Sequence, residues 1–320
     1  MKTKVLIIGF GNIAQRHYKN LKKILPQSEF SVLSKSRKIF NKKLRFLNNL
    51  EEAKIFRPNV TIICSPANTH IQYAKIFSEI NSNIFIEKPV AINSNQLKDF
   101  LHTVKKKKIT ILTGYNLRFE NSLNLFKKII NSKKIGQILS VRSDVGQYLP
   151  SWRKSSYTKS VSANKHLGGG VINELSHDVD ILFMLFNKIK PIYGFKQKVS
   201  DLIIDVEDSA YAIFEAYHSN KKFYIFLNMD FYRHDSTRKC TVIGSKGTII
   251  WDGISNQIKI YMMNKKTRLI SFNKNKNNSY LNEMKYFINN IRKKNTLYNK
   301  FKQNLEVVKV LDNMKKKNYK

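Results

Sequence analysis

Only two cysteines stand among 320 residues, Cys64 and Cys240, and neither has a second Cys or a His at metal-ligand spacing. A disulfide framework and a zinc site are therefore not expected, and no residue is assigned to a metal. No apolar run approaches the roughly 18 to 20 residues that a membrane helix requires. The stretch behind the basic start, residues 5–8, is cut off by Gly9 and is too short for a signal-peptide core. A soluble, cytoplasmic protein without a membrane partner is expected. Acidic residues are also few: 22 Asp and Glu face 58 Lys and Arg, a formal net charge of +36. Such an excess by itself points to nucleic acid or an anionic surface. The cations, however, are 47 Lys and 11 Arg scattered from Lys2 to Lys320, whereas phosphate and base readers cluster Arg for its planar fork of donors. Lys, Asn and Ile share A/T-rich codons, so drift in base composition accounts for the excess, and no nucleic-acid partner is expected. What remains is 42% hydrophobic, enough for a sizeable core, in a length that predicts two domains.

Residues 5–8 have the continuous apolar character of a strand buried on both faces; a glycine-rich turn follows, then a helical pattern through about Ile24. Residues 30–33, 60–64, 84–86 and 109–112 read as further strands, with helices between them such as 69–80 and 95–106. Alternation at this spacing predicts a doubly wound parallel sheet over residues 1–119. After Phe119 the rhythm changes to a helix through Ile130, a strand over about 138–145 and a polar, turn-rich stretch over 146–170. An apolar helix over 171–186 precedes strand-like runs at 210–216, 222–231, 239–243, 248–251 and 257–262, and helices near 280–292 and 305–314 close the chain. Residues 120–320 therefore read as an α+β domain with a mainly antiparallel sheet. No internal repeat is present, and the Lys-rich clusters at 105–108 and 274–278 read as solvated charge.

Gly9-Phe10-Gly11-Asn12-Ile13-Ala14 is a G-x-G-x-x-A sequence placed directly after a strand and opening a helix. Gly9 permits the tight turn, Gly11 lets backbone approach a pyrophosphate, and Ala14 packs helix on strand. The N-terminus of the helix at Asn12 and Ile13 then faces the anion. A dinucleotide without a 2′-phosphate usually meets a carboxylate about 20 residues further on. Here the segment reads Ser34-Lys35-Ser36-Arg37-Lys38, so Ser34 and Arg37 are assigned to a 2′-phosphate and the cofactor is read as NADP or NAD, leaning to NADP.

Ile84-Phe85-Ile86-Glu87-Lys88-Pro89 puts Lys88 at the carboxyl end of a parallel strand, where ligands of such sheets lie. Its ammonium suits a substrate oxygen. In the second half, Gly168-Gly169-Gly170 precedes an apolar helix carrying Asn173, Glu174, His177, Asp178 and Asp180. On one helix, positions 174, 177 and 178 share a face, so Glu174 can orient or activate the His177 imidazole, a group that exchanges protons near neutral pH. A buried structural His with capping carboxylates is the competing reading of the same residues. In the loop before this helix, Trp152 and Arg153 offer an aromatic platform and a guanidinium to a sugar, or equally pack between domains. Arg118, Tyr148, Lys165 and Arg233 are further candidate anion or hydroxyl contacts.

Taken together, Gly9-x-Gly11-x-x-Ala14 with His17, Cys64-Ser65-Pro66-Ala67-Asn68-Thr69-His70, Glu87-Lys88-Pro89, Gly146-Gln147-Tyr148-Leu149-Pro150-Ser151-Trp152-Arg153, Gly168-Gly169-Gly170 with Ser176-His177, and Ile243-Gly244-Ser245-Lys246-Gly247-Thr248 resemble the Gfo/Idh/MocA oxidoreductases over nearly the whole chain. These are relatives of glucose–fructose oxidoreductase and inositol dehydrogenase. The resemblance implies an N-terminal Rossmann domain that binds NAD(P), a C-terminal domain with an open sheet, hydride transfer at a sugar or cyclitol carbon, and a homodimer or homotetramer. It implies that Lys88 holds the reacting oxygen and His177 exchanges its proton. Ser65, Asn68, His70, Glu87 and Lys88 then fall beside the cofactor, and Tyr148, Trp152, Arg153 and Asn173 beside the substrate. Many members carry Asp four residues before the catalytic His; here Asn173 stands there, with Glu174 next to it. That variant is similar to a subgroup linked to surface-polysaccharide or nucleotide-sugar biosynthesis. The rival class is a dinucleotide-binding sensor or scaffold without catalysis, which the presence of both Lys88 and His177 counts against.

Overall fold

The first apolar run folds as strand β1 (Lys4–Ile8), and its side chains divide between two cores. Val5 and Ile7 join one cluster while Leu6 and Ile8 join another, the two-residue period of a strand expressed on both faces of a sheet. The structure is a computed structural model that describes residues 2–34, 44–152, 156–186, 188–273, 275 and 277–316. By its internal contacts the chain divides into two compact units, Met1–Asn116 with Asn277–Val308 and Leu117–Lys276 with Lys309–Lys320.

In the first unit β1 is joined by β2 (Glu29–Leu33), β3 (Arg45–Leu47), β4 (Val60–Ile63), β5 (Asn83–Glu87) and β6 (Ile111–Gly114). They form one sheet in the order β3-β2-β1-β4-β5-β6 with every pairing parallel. Helices α1 (Asn12–Ile24), α2 (Leu50–Ile55), α3 (His70–Glu79) and α4 (Ser94–Val104) connect β1 to β2, β3 to β4, β4 to β5 and β5 to β6. One face of the sheet packs on Ile71, Ala74 and Phe77 of α3 and Leu97, Phe100 and Leu101 of α4. The other packs on Ala14 and Leu21 of α1. This is the doubly wound architecture that the alternating pattern predicts.

The second unit begins with α5 (Asn121–Asn131) and β7 (Ile138–Gly146), then α6 (Val171–Glu174), α7 (Ser176–Leu185) and strands β8 (Lys188–Gln197), β9 (Ser209–His218), β10 (Lys221–Asp230), β11 (Thr237–Gly244), β12 (Gly247–Asp252), β13 (Gln257–Met262) and β14 (Arg268–Ser271). Its sheet runs β14-β13-β12-β11-β7-β10-β9-β8, parallel only between β7 and β10. The two edges stay open. One face is apolar and buried: Phe223, Ile225 and Leu227 of β10 lie opposite Ala216, Phe214 and Ala212 of β9. Side chains of the alternate register, including Tyr224 and Phe226, stand on the other face and are exposed.

Several features differ from the expected pattern. The helix anticipated over 171–186 is two helices, because Leu175 (φ −95°, ψ 18°) leaves the helical region between α6 and α7. Strand β8 was not anticipated; it carries Lys188, Lys190 and Pro191, a composition tolerated because it is the sheet edge and the register shifts between Pro191 and Tyr193. Finally, α8 (Asn278–Arg292), which precedes α9 (Tyr298–Lys302) and α10 (Asn304–Lys315), falls in the first unit although residues 120–320 were expected to form one domain. Its stripe Met284, Phe287 and Ile288, at helical spacing, packs in the cluster that holds Val5, Ile7, Phe85 and Leu112.

Phe287 is fully buried in that cluster, so Phe287→Ala should cost about 3–5 kcal/mol of stability. Urea unfolding followed by circular dichroism measures this; a loss below about 1 kcal/mol would contradict the placement of α8 in that core.

Candidate functional site

The glycine loop begins where β1 ends. Gly9 has φ +78°, and a Cβ there would stand 2.7 Å from the Cys64 carbonyl oxygen, so only glycine fits the turn. Gly11 is the N-cap of α1, and a Cβ added to it meets nothing within 4 Å. Its first intrahelical bond, Gln15 N–H to Gly11 O at 3.0 Å, leaves the preceding N–H groups of Asn12, Ile13 and Ala14 at the helix end. No acidic residue occupies the first turn and no side chain caps it. An open, uncapped, acid-free helix end after a positive-φ glycine fits a dinucleotide pyrophosphate, and the Gly9–Ile13 backbone is what would hold it. Ser34 directly follows β2. Arg37, like Lys35, Ser36 and Lys38, lies outside the described residues.

After β4 the chain turns at Ser65, whose hydroxyl is 2.7 Å from Thr69 Oγ1, and Asn68 is exposed. His70 is 1% exposed, and both its ring nitrogens are taken: Nε2 is 2.8 Å from the Ser65 carbonyl and Nδ1 is 2.9 Å from the Pro89 carbonyl. It lies between one loop and the next, with both ring nitrogens turned to backbone. Two carbonyls would each accept a proton from the ring, yet burial, with the Lys88 ammonium in support, holds the imidazole below its ordinary pKa. Burial is the larger effect, so one tautomeric N–H serves one of the two carbonyls.

Glu87 ends β5, Lys88 follows it half-buried, and the Lys88–Pro89 peptide is cis. The Glu87 carboxylate is buried against His17 of α1, with Oε1 2.6 Å from Nε2, and Oε2 accepts the Lys88 backbone N–H at 3.1 Å. Both oxygens are thus engaged by protein, where sequence reasoning had set Glu87 beside the cofactor. Nearby, burial and then the charges of Glu87 and Glu283 push the Cys64 thiol well up.

In the second unit the glycine run makes a sharp entry to α6. Gly168 (φ +82°) and Gly170 (φ +103°) take left-handed or otherwise glycine-favouring conformations, and a Cβ on Gly170 would collide with Glu207. Glu207 Oε1 accepts the Ile172 N–H at 3.3 Å and its backbone carbonyl accepts that of Val171 at 3.2 Å, which fixes the start of α6; burial raises the Glu207 carboxyl. Asn173 donates from Nδ2 to the carbonyls of Gly168 and Gly169 at 3.0 and 3.2 Å, leaving its buried Oδ1 without a partner among the described residues. Glu174 is the last residue of α6 and His177 lies in the first turn of α7, both half-buried. The break at Leu175 means that they do not share the face of one continuous helix, as the spacing had implied.

Two of the candidate anion contacts are already matched to carboxylates. Arg118 grips Asp180 bidentately, with Nε 2.8 Å from Oδ2 and Nη2 2.6 Å from Oδ1, and Arg233 pairs with Asp235 at 2.9 and 3.1 Å. Arg238, which sequence reasoning missed, pairs with Asp178 at 3.2 Å. Lys165 is exposed, its backbone N–H bonded to Asp205. Tyr148 packs tilted against His234 at 4.2 Å, Trp152 meets Phe231 edge-on at 5.3 Å, and the buried Trp152 Nε1 has no partner among the described residues. Arg153 lies outside them. Glu207 and Arg238 were missed because neither adjoins a motif; only the fold brings them to the glycine turn and to α7.

Comparison with known proteins places both halves of the chain in one family. Residues 3–115 match the family described as the NAD-binding Rossmann fold of GFO_IDH_MocA oxidoreductases, and residues 127–319 match its C-terminal alpha/beta domain. The chain is 22% identical over 308 residues to a myo-inositol 2-dehydrogenase of Thermotoga maritima, covering 90% of this chain and 88% of that protein. Alignments to other curated relatives are shorter: an uncharacterized oxidoreductase of Escherichia coli, 32% identical over 109 residues, is spanned over 31% of its length. Among solved structures, a levoglucosan dehydrogenase in complex with NADH and levoglucosan superposes with TM-score 0.80 at 16% identity, covering 98% of this chain and 96% of that one. A UDP-N-acetylglucosamine 3-dehydrogenase from Acidithiobacillus ferrooxidans superposes with TM-score 0.72 at 14% identity, covering 97% and 99%. With both halves matched in order, the chain belongs to the GFO_IDH_MocA oxidoreductase family and is an oxidoreductase with an NAD(P)-binding Rossmann domain.

Proposed function

We propose that this enzyme moves a hydride between a nicotinamide and a hydroxyl or carbonyl carbon of a sugar or nucleotide-sugar, in the cytoplasm, as a step in surface-polysaccharide biosynthesis. The observation that carries the reading is Lys88, a half-buried ammonium at the carboxyl end of β5 whose backbone is fixed by Glu87. Lys88 hydrogen-bonds the reacting oxygen. His177, presented in the first turn of α7, takes the hydroxyl proton in oxidation and returns it in reduction. The bound dinucleotide supplies the hydride acceptor or donor; the Gly9–Ile13 backbone holds its pyrophosphate, with Ser65 and Asn68 beside it. Glu174, half-buried at the end of α6, orients or activates His177, and Tyr148, Trp152, Arg153 and Asn173 contact the substrate, Asn173 through its remaining acceptor Oδ1. The substrate class is supported by relatives named for myo-inositol, levoglucosan and a UDP-amino sugar. The pathway is supported by the Gly146–Pro150 and Glu174–His177 signatures.

NADP is the favoured cofactor, because the residues after β2 offer Ser34 and Arg37 and no carboxylate. A second copy of the chain covers the outer face of the eight-stranded sheet, giving a homodimer or homotetramer. Phe226 is 46% exposed there beside Tyr193 and Tyr224, with Arg142 and Asp144 on the neighbouring strand to pair across a two-fold axis.

Lys88→Ala and His177→Ala should each lower turnover by about 100-fold or more while NADPH affinity changes less than twofold; normal turnover in either would refute its role. Titration with NADPH and NADH, followed by nicotinamide fluorescence, should show tighter NADPH binding that a Ser34/Arg37 double alanine variant loses; preference for NADH would overturn the 2′-phosphate reading. Phe226→Asp should shift the light-scattering mass to that of one chain, and an unchanged multimer would place the interface elsewhere.

A further inference from the structure

A buried carboxylate accepts hydrogen bonds and donates none, so each oxygen needs a donor or carries the cost of an unmet acceptor. Glu87, 8% exposed, has one donor on each side that come from distant parts of the chain: His17 Nε2 on α1 at Oε1, and the Lys88 N–H at Oε2. His17 is completely buried, its ring edge-on to Phe85 at 5.0 Å and to Tyr280 at 6.0 Å. Its Nδ1 has no hydrogen-bond partner among the described residues, so Glu87 is the polar contact that fixes the imidazole. Gly114 of β6 lies opposite Glu87, and a Cβ there would stand 3.0 Å from Oε1; the absent side chain is the room in which the carboxylate sits. Beyond Lys88, the Pro89 carbonyl lies 2.9 Å from His70 Nδ1. The turn that carries Lys88 is therefore gripped at its entrance by Glu87 and flanked at its exit by His70.

We propose that His17 and Glu87 are positioning residues: the His17 imidazole holds the Glu87 carboxylate in the one orientation that fixes the Lys88 backbone, and so couples the helix that follows the dinucleotide loop to the placement of the Lys88 ammonium. This rests on the reading of Lys88 given above. Apolar packing alone would hold α1 against the sheet, since Ala14 and Leu21 already do so. What packing cannot supply is direction, and a charge-assisted bond of 2.6 Å supplies it. Without His17 the carboxylate turns towards another donor and releases the Lys88 N–H.

The test is hydrogen–deuterium exchange of the full chain with NADPH bound, read at the Lys88 amide by fragmentation mass spectrometry, with turnover and NADPH affinity measured alongside. His17→Leu, which keeps shape and removes the donor, should speed Lys88 amide exchange by about 10-fold or more while α1 and α3 exchange as before. His17→Gln, which restores an N–H towards Glu87, should return Lys88 to the rate of the unmodified chain. Gly114→Ala displaces the carboxylate without touching either partner and should reproduce the His17→Leu pattern, which keeps the question decidable if His17→Leu fails to fold. In these variants kcat should fall with NADPH affinity kept within twofold. Unchanged Lys88 exchange in folded His17→Leu and Gly114→Ala, or faster exchange spread over the whole first unit, would overturn the proposal and leave a pair that only supports folding. Faster Lys88 exchange with turnover unaffected by Lys88→Ala would instead refute the catalytic reading and leave the clamp standing.

Discussion

A parallel sheet covered on both faces can meet a ligand only where its strands end. β1, β4, β5 and β6 bury nearly every side chain, so polar chemistry is displaced to the residues just beyond them: Gly9 after β1, Ser65 near the end of β4, Lys88 after β5. Ser34 stands in the same position after β2. The hydrophobic effect that assembles the sheet is non-directional and cannot aim such loops. Direction comes from buried polar groups spanning one loop to the next: His70 between the carbonyls of Ser65 and Pro89, Glu87 between His17 and the Lys88 N–H. Each is buried because it serves the loops, and each is thereby withdrawn from direct contact with a ligand.

The second unit solves the same problem with glycine. Gly168 and Gly170 bend the chain through positive φ, Asn173 ties its amide back to the Gly168 and Gly169 carbonyls, and Glu207 takes the Ile172 N–H at the start of α6. α6 then ends after one turn, and the break at Leu175 restarts the helix so that His177 falls in the first turn of α7 rather than in its middle. A histidine inside a long apolar helix is committed to the core. At a helix start it keeps a half-buried position, and the Asp178 beside it pairs with Arg238.

How much of this was legible in the sequence follows from how local each cause is. The βαβ alternation was readable because strands buried on both faces are continuous apolar runs, and the Gly9 turn because a positive-φ glycine between strand and helix is a local necessity. β3 and α2 were not, being three and six residues long. β8 was hidden by lysines and a proline that only an edge strand tolerates. The stripe on α8 announced a buried face without saying which core would receive it. The break at Leu175 was invisible because apolar periodicity runs on through it in phase. The candidate site was legible as a set of motifs, but the pair His17 and Glu87 stands 70 residues apart, and no spacing rule joins them. Likewise, nothing in the order Ser65 to His70 reveals that both imidazole nitrogens turn to backbone.

The charge imbalance has its own structural logic. The buried carboxylates are Glu87, Asp178, Asp180, Asp208, Asp230 and Glu283, and no described Lys or Arg is buried to the same degree. Several hold backbone or guanidinium in place: Asp208 accepts from Val199 N–H and from Ser200 N–H and Oγ–H, Asp180 from Arg118, Asp178 from Arg238. A chain that drifts towards lysine can replace surface residues freely, since an exposed ammonium needs no partner, whereas a buried carboxylate tied to specific donors resists replacement. The scarce acids are thus where the fold is specified, and the abundant cations form its hydrated surface. Screening limits that surface field to about 8 Å at physiological salt. The net charge can therefore hasten the arrival of an anionic ligand without choosing among them.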